Sequence, residues 1–167
     1  MKIDRTNDFD LLGFLDKYNL PKNLVIKRQD SRALEILEFD PVTIKLQSFH
    51  SGPHNLVATN KVWQEGIVRS LRIPLDIAIL DALLTNPDEM PECIKTTKGR
   101  GYTIPMVFDG TVLAYDDDRG FKKPEKYSDV DECLLFLYNN NDGDIALGFI
   151  RSYVGRGIPG RDFSVVI

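Results

Sequence analysis

Leu11, Leu12, Leu15 and Tyr18 recur at helical spacing near the start of the chain and predict a short amphipathic helix. Thr6 or Asn7 would cap it, and Leu20-Pro21 would end it. The pattern then becomes strand-like. Residues 23–27 centre on Leu24-Val25-Ile26, residues 34–39 fit either a strand or a helix, and Val42, Ile44 and Leu46 alternate with Thr43, Lys45 and Gln47. Asp40-Pro41 is turn chemistry, because proline presets the backbone for a turn. Residues 34–49 are therefore expected to form a hairpin.

Beyond the loop His50-Ser51-Gly52-Pro53-His54, residues 60–71 fit a helix with Trp63, Ile67 and Leu71 inward, and fit a strand nearly as well. Pro74 opens a clearer helix, since proline is tolerated in the first helical turn. Ile77, Leu80, Leu83 and Leu84 mark its buried side, and Ala78, Ile79 and Ala82 make the remainder almost as apolar. A helix of that kind belongs in the core. Asn86-Pro87 stops it, with room for one more turn over residues 88–95.

The C-terminal half reads as β. Asp109-Gly110 between β-formers signals a hairpin within residues 102–115. Residues 132–138 and 145–153 form a second strand pair across the Asn139–Asp144 turn cluster. Consecutive strands usually neighbour one another, so an antiparallel meander follows. The expected fold class is α+β: this meander packed on the buried central helix, with a helix and a hairpin at the N-terminal side.

Composition changes this picture little. The chain of 167 residues has the size of a single domain and can bury an ordinary apolar core. Its 43% hydrophobic and 28% charged residues are those of a globular protein and argue against disorder. The residues from Ile73 to Leu84 form the longest apolar-rich run, interrupted by Asp76 and Asp81 and well short of the roughly 20 needed to span a bilayer. No export signal opens the sequence, so a cytoplasmic location is expected, with Cys93 and Cys133 as reduced thiols. The net charge of −4 argues against bulk affinity for nucleic acid. Acids crowd the stretch from Asp116 to Glu132, whereas arginines outnumber acids after Asp144.

Three features could carry chemistry. His50-x-x-x-His54 has the spacing of a helical zinc pair, but Gly52-Pro53 breaks the helix that would align it and no third ligand is signalled. Asp116-Asp117-Asp118 and the Asn139–Asp144 cluster are rich in oxygen donors, yet neither fits the EF-hand frame, and solvated turns explain them better. No metal or cofactor is expected. The third feature is a repeated Gly-Arg-Gly, at Gly99-Arg100-Gly101 and Gly155-Arg156-Gly157. With Arg151, Arg161, Tyr102 and Tyr153 it would make an anion- or nucleic-acid-binding rim. Flexible loops carrying solubilising arginines explain the same residues and are the preferred account. No nucleophile elbow, His-Glu-x-x-His or Cys-x-x-Cys is present, and a Cys93 dyad with His50 or His54 is the weakest alternative.

The run Leu80-Asp81-Ala82-Leu83-Leu84-Thr85-Asn86-Pro87-Asp88-Glu89-Met90-Pro91-Glu92, followed by Phe108-Asp109-Gly110-Thr111-Val112, resembles a pattern in small bacterial proteins of unassigned function. That resemblance covers residues 73–153 and implies a helix followed by a sheet and a bacterial or phage origin. It implies no activity. The leading functional expectation is a non-enzymatic protein-interaction module, such as an accessory, immunity or inhibitor protein, that meets a basic protein partner through Asp116, Asp117 and Asp118. The alternative is the arginine rim of Arg100, Tyr102, Arg151, Tyr153, Arg156 and Arg161. No membrane partner is expected.

Overall fold

A computed structural model describes residues 1–43, 46–49, 74–95, 106–116, 132–140, 143–152 and 163–166. Helix α1 runs Leu11–Lys17, later than Thr6 or Asn7 would start it, because Asp10 is the cap and its side chain accepts from the Gly13 N–H. Thr6 is occupied elsewhere: its N–H and hydroxyl both donate to Asp4 Oδ1. The buried face also differs from the one expected. Phe14 and Leu15 are buried, whereas Leu12, expected inward, is 54% exposed. The helix ends in a Schellman arrangement. Asn19 takes the left-handed conformation at φ 52°, its N–H donates to Asp16 O at 3.2 Å, and the Leu20 N–H donates to Leu15 O at 2.8 Å.

Strand β1 (Leu24–Gln29) follows, and then a single helical turn, α2 (Ser31–Leu34), capped by Asp30. The hairpin expected over residues 34–49 is not formed by the described residues of that span. Residues 37–39 pair instead with the start of the chain, through Ile3 N–H to Leu37 O at 2.9 Å and Phe39 N–H to Met1 O at 2.8 Å. Asp40-Pro41 does turn the chain, with Asp40 Oδ1 accepting the Val42 N–H, but it leads into a 3-10 turn at Pro41–Thr43 that leaves Val42 90% exposed. Strand β2 (Leu46–Phe49) finds its partner at the far end of the chain. Alternation of side chains selects a buried face, but it does not select the strand that will lie alongside.

The central helix α3 spans Ile77–Thr85 and buries Ile77, Ile79, Leu80 and Leu83. Its N-cap is Asp76, so Pro74 lies just ahead of the helix and not in its first turn. Asn86 ends it, donating Nδ2–H to Ala82 O at 2.8 Å. A 3-10 turn at Pro87–Glu89 and the short α4 (Glu92–Lys95) occupy the residues where one more turn was expected.

Strands β3 (Met106–Tyr115), β4 (Glu132–Asn139) and β5 (Ile145–Ser152) form the antiparallel meander. The β4–β5 turn uses Asn140, whose Oδ1 accepts the Asp144 N–H. Strand β6 (Phe163–Val166) lies antiparallel to β2 and meets β3 in parallel at Met106↔Ser164. Among the described residues the sheet has six strands, in the order β2-β6-β3-β4-β5, with β1 antiparallel to β3 beside its second half. The fold is α+β. Its core gathers α1, α3 and one face of the sheet, including Leu15, Leu75, Leu80, Leu83, Phe108, Leu113, Leu135 and Leu137.

Asp109-Gly110 is not the hairpin turn its residues predict. Strand β3 passes straight through it. Phe108 pairs with Leu135 and Leu113 with Cys133, so residues 109–112 stand against Leu134 alone as a bulge. Gly110 is required because a side chain would collide with backbone: a Cβ there would lie 2.8 Å from the Leu75 carbonyl and 2.9 Å from Ala33 Cβ. In this close approach the Gly110 N–H donates to Leu75 O and Gly110 O accepts from the Asp30 N–H, each at 2.8 Å.

Candidate functional site

A buried polar cluster lies where the β3 bulge meets the start of α3. Asp76 is fully buried, and its carboxylate receives the Arg5 fork, Nη1–H to Oδ2 at 2.5 Å and Nη2–H to Oδ1 at 3.2 Å. Oδ1 also accepts the Ile79 N–H at 3.1 Å, which is the helix cap. Arg5 turns two further donors to Ala33 O at 2.8 Å and Ile36 O at 3.3 Å. Beside it the Ile77 N–H donates to the Thr111 hydroxyl, itself 1% exposed. One ion pair thus joins the opening segment, α2 and α3, and the bulge is fastened next to it. A bidentate guanidinium–carboxylate pair at a helix N-terminus is chemically suited to holding segments in place. Every acceptor named here already faces a donor.

Sequence reading missed this cluster. Asp76 stands one residue before the helix and has the side chain of a cap, but with Pro74 taken as the helix start it counted only as an interruption of the apolar run. Arg5 lies 71 residues away, and nothing local marks it as the partner.

The surface joining α1 to α3 carries a second cluster. Lys17 Nζ donates to Asp81 Oδ1 at 3.0 Å and to Thr85 Oγ1 at 2.9 Å, and the Tyr18 hydroxyl donates to the same Asp81 oxygen at 3.0 Å. The Tyr18 hydroxyl, then the hydrogen bond to Asp81, hold the Lys17 ammonium above the ordinary lysine value. At the surface Asp4 and Asp16 are held below the ordinary carboxylate value, by hydrogen bonds from Thr6 and Lys22 respectively.

Of the residues expected to carry function, two sit on the described sheet. Asp116 follows the last residue of β3, and its N–H donates to Asn23 O at 2.7 Å. Arg151 lies in β5 opposite Cys133. The register brings them to the same end of the sheet: Leu24 pairs with Tyr115, Ala114 with Glu132, and Glu132 with Ser152. Only β4 separates β3 from β5 there, and Arg151 stands level with Leu113, three residues before Asp116. Two strand spacings of about 4.8 Å and three residues of about 3.3 Å along the strand put the two backbones about 14 Å apart. Glu132 at this end pairs with Lys27 across β3, Nζ to Oε1 at 3.3 Å. Sequence reading treated the acidic stretch and the arginine stretch as separate surfaces, whereas pairing through β4 places one described member of each at the same end of the sheet.

Asp117, Asp118, Arg100, Tyr102, Tyr153, Arg156, Arg161, His50 and His54 lie outside the described residues, as does the Cys93 side chain in α4. Cys133 carries its thiol fully buried in the core cluster. No helix among the described residues is long and apolar enough to cross a membrane. No family model matches the chain, and comparison with curated proteins and with solved structures finds no match.

Proposed function

We propose that the chain is a protein-interaction module that meets a basic partner by charge complementarity, as a small bacterial or phage accessory, immunity or inhibitor protein in the cytoplasm would. The contact surface in this reading is Asp116, Asp117 and Asp118. The observation that supports it is the anchoring of Asp116. Its backbone is tied to Asn23 at the end of β3, so the acidic run starts from a fixed point on the sheet. Three adjacent carboxylates concentrate negative potential within a Debye length of about 10 Å, which raises the encounter rate with a positively charged surface.

The test is a pull-down from bacterial cells using the wild-type chain and the Asp116→Lys/Asp117→Lys/Asp118→Lys variant as baits. Partner recovery should fall sharply for the variant. With the purified partner, association should slow by about tenfold or more at low salt. Equal recovery by a variant with unchanged melting temperature overturns the proposal.

A second reading draws on the position of Arg151 beside the same sheet end. In it, Arg100, Arg151, Arg156 and Arg161, with Tyr102 and Tyr153, bind an anion or a nucleic acid. Affinity for a fluorescent oligonucleotide would then fall steeply with salt. An anisotropy titration that stays flat at low salt removes this reading.

A further inference from the structure

We draw no further inference here: the strongest candidate, the half-buried Phe136 and Tyr138 pair on the outer face of β4, whose rings lie 5.5 Å apart beside Gly148 of β5, carries nothing because nothing in the structure shows what covers that face.

Discussion

Replacing Arg5 with methionine removes the guanidinium but keeps much of the apolar stem that packs beside it. The carboxylate it leaves behind is fully buried and retains only the Ile79 N–H of the three donors described around it. Breaking a buried ion pair from one side costs about 3–5 kcal/mol, because the stranded charge has lost its compensation. Removing the carboxylate is a milder change. In Asp76→Ser the hydroxyl can still cap α3, and Arg5 keeps the Ala33 and Ile36 carbonyls and some contact with water, its side chain being 15% exposed. That loss is nearer the worth of hydrogen bonds to a charged group, about 1.5–3 kcal/mol. In the double variant no charge is stranded, so its cost should fall short of the summed single costs by about 1–3 kcal/mol. Urea unfolding followed by circular dichroism at neutral pH measures all three, with the slope on denaturant checked for constancy. For a domain with about 5–15 kcal/mol of total stability, the Arg5→Met change is large. If Arg5→Met costs under about 1 kcal/mol, or if the two single costs simply add, the ion pair does not fasten these segments and the reasoning is wrong.

Three further outcomes follow from the geometry. Gly110→Ala should destabilise the fold by about 1–3 kcal/mol, because the new methyl meets the Leu75 backbone, which cannot rotate away; an unchanged urea midpoint would show that the bulge has room. Gly148→Ala should also destabilise, since its Cβ would fall on the Phe136 ring. Here the obstacle is a side chain, so Phe136→Leu in the same background should recover part of the loss, and strict additivity of the two changes would refute the contact. Lys17→Met should cost under about 1 kcal/mol at neutral pH, because the ammonium is 48% exposed and solvent-screened. Its folded pKa is raised above the ordinary lysine value, so its contribution is complete below that value and is lost as pH rises through the folded one. The difference between wild type and Lys17→Met should therefore be constant from about pH 6 to about pH 9 and shrink as pH rises further, and a difference that already falls with rising pH inside that window would contradict the sign.

What the residues specified locally was legible without coordinates. The buried helix α3, its stop at Asn86-Pro87 and the β4–β5 pair around Asn140 all depend on neighbours a few positions apart. There, spacing, capping and turn chemistry act with little loop-closure entropy to overcome. Even at this range α1 shows the limit: Thr6, Asn7 and Asp10 are all competent caps, and it is packing against the rest of the fold that buries Phe14 and leaves Leu12 exposed. Partner choice lay beyond local chemistry. Leu46–Phe49 has an alternating pattern that satisfies any complementary edge, and the edge it found was Phe163–Val166. Asp109-Gly110 supplies the same backbone freedom to a turn as to a bulge, and what selected the bulge was hydrogen bonding to Leu75 and Asp30, both distant in sequence. Arg5 and Asp76 are ordinary surface-type residues until folding closes 71 residues of chain between them and removes water from the pair. The same pairing of distant strands brought Asp116 and Arg151 to one end of the sheet. Their charges are read directly from the sequence, but their neighbourhood exists only because β4 lies between β3 and β5.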